Sequence, residues 1–301
     1  MHIDAFSSLG VSFNSEKEGE NIIFANGHIK GGSVVLKYPS VGATENIMIG
    51  ASSCTEKTVI INAACEPEIV DLQNYLQKCG VNITGAGTSV ITIYGTSEMN
   101  KVVVHDVIPD RIEACTYLTA ACLIGDGVLL KNCGIDNLSL FLNILNKCGA
   151  EFSFCGDSIN VVKSVSADFP GLPMFIKTGP HPMPATDMQP FFTVIAAVTG
   201  CFCAIEETVF PDRLKHVGEL CRMGAKLAVS GRFILCSGAA GLRGAELASS
   251  DLRCGAALLV AALCAEGVSV VNDSFDYIMR GYCEPEKKLS ALGAHIVKLQ
   301  R

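Results

Sequence analysis

Much is missing from this 301-residue chain, and each absence removes a class of explanation. The opening residues, MHIDAFSSLG, carry no basic segment followed by an apolar one, so no secretory signal is expected. There is no CxxC pair and the six histidines are scattered, so neither a metal site nor a cofactor is expected. The longest apolar run, FFTVIAAVTGCFCAI (191–205), is too short to span a bilayer, and Thr199-Gly200 breaks it into a helix followed by a strand. Charge is sparse: 18% of residues are Asp, Glu, Lys or Arg, and the net charge is −7. That balance argues against nucleic acid or an anionic membrane as the main partner, while leaving room for a local basic site facing an acidic small molecule.

What is abundant points inward. Hydrophobic residues make up 49% of the chain, enough for one or two buried cores in a compact, soluble protein. Fifteen cysteines would suggest disulfides in a short secreted chain. Here Cys122, Cys221 and Cys264 fall in apolar helical patterns, where a thiol acts as a small hydrophobe. Cys201 and Cys203 alternate on a strand. A reducing cytoplasm is the expected location.

A repeat organises the sequence. The phrases LGV, CGV, CGA, MGA and LGA place glycines at 10, 80, 149, 224 and 293, with spacings of 70, 69, 75 and 69 residues. Each glycine follows a helical pattern and precedes alternating apolar residues, as a glycine C-cap leading into a strand would. Upstream of four of them, GATENIMIGASSCTEKTVIIN, RIEACTYLTAACLIGDGVLLKN, DMQPFFTVIAAVTGCFCAIEE and DLRCGAALLVAALCAEGVSVVN read as helix, tight turn, strand. The unit is therefore βαβαββ, with copies expected to start near residues 34, 104, 174 and 245. The copy ending at Gly10 has only its second helix, so the chain is expected to begin partway through a unit.

The stretch PHPMPATDMQPFF (180–192) delivers Thr186 and Asp187 to the front of a helix on a proline-stiffened loop. Two readings stand: Thr186 or Asp187 caps the helix, or Asp187 is held out as a base. Asp110, Asp187 and Asp251 occupy the same repeat position, and three such helix N-termini would form a polar pole suited to anions. Three plain caps would give the same pattern.

The repeat and the phrases SVGATENIM (40–48), NAACEPEIVD (62–71), PDRIEACTYL (109–118), PHPMPATDMQ (180–189), ETVFPDRLKHVGEL (207–220), SSDLRCGAAL (249–258) and IMRGY (278–282) resemble the enolpyruvyl transferases. Within that family they resemble the branch that acts on UDP-N-acetylglucosamine. The resemblance implies an α/β (α+β) fold, an inside-out barrel of βαβαββ units with helices buried and sheets outside. It implies transfer of enolpyruvate from phosphoenolpyruvate to the sugar 3-hydroxyl with release of phosphate, the first committed step of peptidoglycan synthesis. Cell-wall biogenesis, cell shape and the cell cycle would follow from that role.

By the same resemblance, Asp187 is the base that contacts the sugar hydroxyl, and Arg213, Arg253 and Arg280 bind phosphoenolpyruvate. Tyr38, Pro39, Ser40, Val41 and Gly42 match uridine-diphosphate contacts, and Val209 matches a backbone contact to the sugar nucleotide. Glu66, Asp110 and Asp251 are candidate supports of the site. Ala185, Pro211 and Met279 depart from the family pattern, and Cys115 replaces a helical glycine, so it is not the family's reactive cysteine.

The resemblance covers about the last seven-tenths of the family's length. Absent are the Lys-Asn pair, the loop carrying the cysteine acid, the first arginine-bearing unit and most of the Arg-Pro-Val-Asp-Leu nucleotide loop, of which Met1-His2 would be the end. Residues 1–103 are thus expected to form the remainder of a nucleotide-sugar-side domain, incomplete and less stable. Residues 104–301 should form a three-unit domain carrying the base and arginines. The competing expectation is a truncated homologue, inactive alone, acting as a UDP-sugar-binding or interaction module or assembling with a separately encoded N-terminal fragment.

Overall fold

The computed structural model describes residues 1–14, 23–100, 102–125, 127–164, 175–238 and 241–299. The chain divides into two compact units: Met1–Ile108 with Pro180–Pro182, and Pro109–Gly179 with Met183–Arg301.

The first unit contains α1 (His2–Ser8), β1 (Ser12–Asn14), β2 (Phe24–Asn26), β3 (Gly32–Val35), α2 (Val41–Ala51), β4 (Lys57–Ile61), α3 (Pro67–Lys78), β5 (Asn82–Thr84) and β6 (Val90–Tyr94). The last six make one repeat. Its strands run β3-β4-β6-β5, with the β3–β4 pair parallel and the other pairs antiparallel. Alternation along β4 and β6 buries Thr58, Ile60, Ile91 and Ile93 against the helices and leaves Ile61, Val90 and Tyr94 exposed. In α2 the apolar residues Ala43, Ile47, Met48 and Ala51 are buried within the same core.

The second unit comprises α4 (Arg111–Ile124), β7 (Leu129–Lys131), α5 (Ser139–Lys147), β8 (Glu151–Cys155), β9 (Ser158–Lys163), β10 (Phe175–Lys177), α6 (Gln189–Thr199), β11 (Phe202–Glu206), α7 (Lys215–Arg222), β12 (Leu227–Ser230), β13 (Phe233–Ser237), β14 (Glu246–Ala248), α8 (Leu252–Leu263), β15 (Val270–Asn272) and α9 (Pro285–Ala291). Its sheet β10-β11-β13-β12 repeats the topology of the first unit's four-stranded sheet. Helices α4, α6 and α8 pack on one another at the centre. Phe191 and Phe192 on α6 are fully buried there, each contributing roughly 1.5–3 kcal/mol through the area withdrawn from water. Helices lie inside and sheets outside in each unit.

The five repeat glycines share one conformation: φ is +92° at Gly10, +97° at Gly80, +95° at Gly149, +98° at Gly224 and +97° at Gly293. Each closes a Schellman motif. After α3, for example, the Gly80 amide donates to Gln77 O and the Val81 amide to Leu76 O, and the other four copies repeat both bonds. A left-handed residue at every such helix end is why the phrase always contains glycine.

Two copies differ from the expected unit. The strand expected near residue 104 does not form: residues 102–108 are irregular, and β7 pairs only with β9, in the order β7-β9-β8. This segment bonds instead within the first unit, where Lys78 Nζ donates to Val104 O (3.1 Å) and His105 Nε2 lies 3.0 Å from Asp71 Oδ1. In the fourth copy β14 and β15 form a two-stranded sheet, and residues 294–299 add no strand to it. The third copy's expected start at residue 174 lies just outside the described residues.

The cysteines are mostly packed, Cys115 and Cys122 completely. Cys264 is half-buried, and Cys221 is exposed on α7 rather than packed. The helix buries His216, Val217 and Leu220 and leaves Cys221 exposed, where the thiol donates to Leu227 O at 3.4 Å. Among the described residues no group of three or more His, Cys, Asp or Glu is placed to hold a metal ion, and no helix is long and apolar enough to cross a membrane.

Candidate active site

The three aspartates that share a repeat position do not share a job. Asp110 caps α4, accepting from the amides of Ile112 (2.8 Å) and Glu113 (3.1 Å). Asp251 caps α8, accepting from the amides of Arg253 (3.0 Å) and Cys254 (2.9 Å). Asp187, in the 3-10 turn Thr186–Met188 before α6, makes no capping bond. Its carboxylate is turned onto two guanidinium groups instead.

Arg213 Nη1 donates to Asp187 Oδ1, and Arg253 Nε donates to Oδ2 (3.1 Å), with Arg253 Nη2 ion-paired to the same oxygen at 3.0 Å. Burial by itself pushes the Asp187 carboxyl up, but the positive charges of Arg213 and Arg253 outweigh it and hold the group below its ordinary value. The group is therefore ionised at neutral pH, in a setting where two cationic forks are oriented toward one anion.

The sequence loop explains this presentation. The Gly179 amide donates to Pro184 O, closing the loop's neck, and the His181–Pro182 bond is cis. Ala185 departs from the family's proline, yet it sits at φ −63°, the angle proline would impose, so the path into Thr186 is kept.

Thr186 and three residues not anticipated from the sequence, Tyr282, Thr116 and Phe210, surround these groups. Thr186 Oγ1 accepts from Arg213 Nη1 at 3.1 Å. Arg253 Nη1 donates to the phenol oxygen of Tyr282 at 3.0 Å, and that oxygen lies 2.8 Å from Thr116 Oγ1. The Arg213 guanidinium also stacks on Phe210, 4.8 Å from the ring centroid. The sequence signal was present in TDM, IMRGY and ETVF, but helix periodicity assigns no partner across such distances.

The other expected residues fall elsewhere. Arg280, in the turn Ile278–Arg280, is exposed, and its side chain makes none of the hydrogen bonds or ion pairs seen among the described residues. Val209 is half-buried, with its amide engaged by Glu207 Oε1 at 2.7 Å. Cys115 is fully buried, and burial raises its thiol well above the ordinary range, which removes it as an acid.

In the first unit, Tyr38, Pro39, Ser40, Val41 and Gly42 are half-buried at the start of α2. Ser40 is its N-cap: Oγ accepts from the Ala43 amide (3.3 Å), and the Ser40 amide donates to Tyr38 O (2.7 Å). A side chain at Gly42 would meet the His2 ring at 3.5 Å, and His2 Nδ1 lies 2.9 Å from Asn46 Nδ2. Helix start, backbone amides and a hydroxyl thus come together at a place where a phosphate is readily held. Glu66 is buried, its Oε1 accepting from the His181 amide (3.2 Å), while its Oε2 has no partner among the described residues.

Residues 1–289 match the family model for EPSP synthase (3-phosphoshikimate 1-carboxyvinyltransferase). The chain is 42% identical over 301 residues to UDP-N-acetylglucosamine 1-carboxyvinyltransferase 1 of Caldanaerobacter subterraneus subsp. tengcongensis, covering 99% of this chain and 70% of that protein. It is 40% identical to the UDP-N-acetylglucosamine 1-carboxyvinyltransferase of Akkermansia muciniphila, again over 99% of this chain and 70% of the relative. Among solved structures it resembles the enolpyruvyl transferase NikO from Streptomyces tendae, with a TM-score of 0.87 at 21% identity over 97% of this chain and 71% of that one. A domain-long family match, relatives of this identity and a shared βαβαββ architecture lead to one conclusion: the chain belongs to the enolpyruvyl (1-carboxyvinyl) transferase family, alongside the UDP-N-acetylglucosamine 1-carboxyvinyltransferases.

Proposed function

We propose that this chain transfers the enolpyruvyl group of phosphoenolpyruvate to the 3-hydroxyl of UDP-N-acetylglucosamine and releases phosphate. The observation that carries this reading is the diversion of Asp187 from capping to the guanidiniums of Arg213 and Arg253, while its repeat partners Asp110 and Asp251 cap. The named relatives supply the substrate pair.

On this reading the phosphate and carboxylate of phosphoenolpyruvate compete with Asp187 for the arginine N–H groups. As the guanidiniums transfer, the force that lowers the Asp187 proton affinity is relieved, and the carboxylate becomes a better acceptor for the sugar hydroxyl proton. The hydroxyl oxygen then bonds to the carbon that bears the phosphate as its proton passes to Asp187, after the neighbouring carbon has gained a proton from solvent. Loss of phosphate and of one proton from that neighbouring carbon restores the double bond.

Arg213 and Arg253 serve the phosphoenolpyruvate, with Arg280 as an outer cation. Residues 38–42 hold the uridine diphosphate through the start of α2, and Val209 meets the sugar nucleotide through its carbonyl, its amide being engaged. Asp110 and Asp251 support the site as caps, and Glu66 is the candidate support within the first unit. Residues 1–103 are read as the nucleotide-sugar side and 104–301 as the side of the base and arginines. The product would enter peptidoglycan synthesis in the cytoplasm, and so cell-wall biogenesis, cell shape and the cell cycle.

The test is phosphate release from phosphoenolpyruvate with and without UDP-N-acetylglucosamine. Release that requires the sugar nucleotide is expected. No release from folded protein, together with no binding of the sugar nucleotide, would overturn the reading.

A further inference from the structure

We propose that Glu207 is a positioning residue that acts on Asp187 through Thr186 and Arg213, and that ties the same device to the turn carrying Val209. The inference rests on the enolpyruvyl transfer reading for its consequence in turnover, but its geometry stands apart from it.

Glu207 follows β11 and is completely buried, yet no lysine or arginine pairs with it among the described residues. Four donors converge on it instead. Oε1 accepts from Thr178 Oγ1 (3.0 Å), the Val209 amide (2.7 Å) and the Phe210 amide (3.1 Å). Oε2 accepts from Thr186 Oγ1 at 2.9 Å. A carboxylate is costly to bury, and one satisfied only by neutral donors is held where its geometry is needed.

The Thr186 contact has a direction. With the hydroxyl proton committed to Glu207, the Thr186 oxygen turns its lone pairs outward, and one of them accepts from Arg213 Nη1 (3.1 Å). The same Nη1 donates to Asp187 Oδ1. The chain of donors thus runs from Arg213 to Thr186 to Glu207, and it fixes the guanidinium that faces Asp187. The other acceptances pin the turn at Val209 and Phe210, and Phe210 is the ring on which Arg213 lies. Thr178, at the end of β10, closes the frame by receiving the Thr208 amide at 3.0 Å. One buried carboxylate therefore sets the hydroxyl, the cation and the sugar-side turn together.

In Glu207→Gln the side chain keeps its size, but an N–H replaces one acceptor. If the nitrogen faces Thr186, the hydroxyl must turn its proton away from residue 207, toward Arg213. Arg213 then loses a partner and its hold on Asp187 slackens. The charged groups facing Asp187 are Arg213 and Arg253, so the readout is the titration of the Asp187 carboxyl by carbon NMR, assigned against Asp187→Asn. In Glu207→Gln and in Thr186→Val the Asp187 titration moves up, and Thr186→Ser, which keeps the hydroxyl, returns it to the wild-type position. A purely structural role leaves the titration unmoved in folded variants. Simple loss of a nearby carboxylate, felt through space, moves it down. Either result overturns the proposal. Should Glu207→Gln fail to fold, Glu207→Asp, which withdraws the carboxylate from Thr186, is read the same way.

In wild-type protein that turns over, Glu207→Gln lowers kcat by about 10²-fold, the scale of a misplaced catalytic group, with the KM for UDP-N-acetylglucosamine changed far less. Wild-type protein that neither releases phosphate nor binds the sugar nucleotide would remove the transferase reading, while the Asp187 titration would still decide the role of Glu207.

Discussion

Replacing Tyr282 with phenylalanine removes a single oxygen from a buried part of the site, and its cost follows from three contacts. Tyr282 is 2% exposed, Thr116 6% and Arg253 9%. The hydroxyl of Thr116 donates to Ile112 O at 2.9 Å, so at the 2.8 Å contact the phenol is the donor and the Thr116 oxygen the acceptor. The phenol oxygen is left to accept from Arg253 Nη1 at 3.0 Å. Phenylalanine keeps the packing and the ring beneath the guanidinium, whose Cζ lies 5.7 Å from the Tyr282 centroid. What is lost is the bond to Thr116 and the acceptor of a buried charged donor. This is worth about 2 kcal/mol, or a fall in Tm of about 4–8 °C for a unit of this size. Urea unfolding of Tyr282→Phe, Thr116→Val and the double variant measures it, with a coupling of about 1 kcal/mol expected between two residues in direct contact. A Tyr282→Phe protein as stable as wild type would refute the proposition that Arg253 is held from behind by this phenol.

Further consequences concern pH and the helix ends. His216 on α7 is fully buried, and burial pushes it down to about 4 from 6.5. Because the folded value is the lower one, its stabilising contribution is complete above pH 6.5 and is lost as the pH falls toward 4. The unfolding free energy should therefore drop by about 3 kcal/mol over that window, and a His216→Gln protein should show a flatter profile there. Asp110→Ala and Asp251→Ala should each cost about 1 kcal/mol by chemical denaturation, as lost caps do. Gly224→Ala should cost about 1–2 kcal/mol, because a Cβ is strained at φ +98°.

The features legible in the sequence were those that local backbone geometry dictates. A glycine at every repeat end is required by a left-handed residue in a Schellman turn, so five glycines at near-constant spacing announced five helix ends. The proline-rich approach to Thr186 and the caps at Asp110 and Asp251 are equally local. The role of Asp187 was not decidable locally, because capping and pairing use the same residue at the same position. What separates them is whether arginines 26 and 66 residues away reach it. The strand expected near residue 104 failed for a related reason. Its run of valines suits a strand, but the segment's bonds go to Lys78 and Asp71 within the first unit and not to β7. Arg280 matched by motif, yet it lies exposed while Arg253, nearly buried, takes Asp187. Glu207 was invisible as anything but an acidic residue after an apolar strand, since its four donors are assembled only by the fold.

The most direct test of the account is the Asp187→Asn exchange, which keeps the shape of the side chain and removes its capacity to accept a proton. With phosphoenolpyruvate and UDP-N-acetylglucosamine supplied, phosphate release is expected to fall about 10²–10⁴-fold in the variant, while binding of the sugar nucleotide stays within a few-fold of wild type. Phosphate release by Asp187→Asn at the wild-type rate would contradict it, because the one aspartate that declines to cap its helix would then have no part in the chemistry.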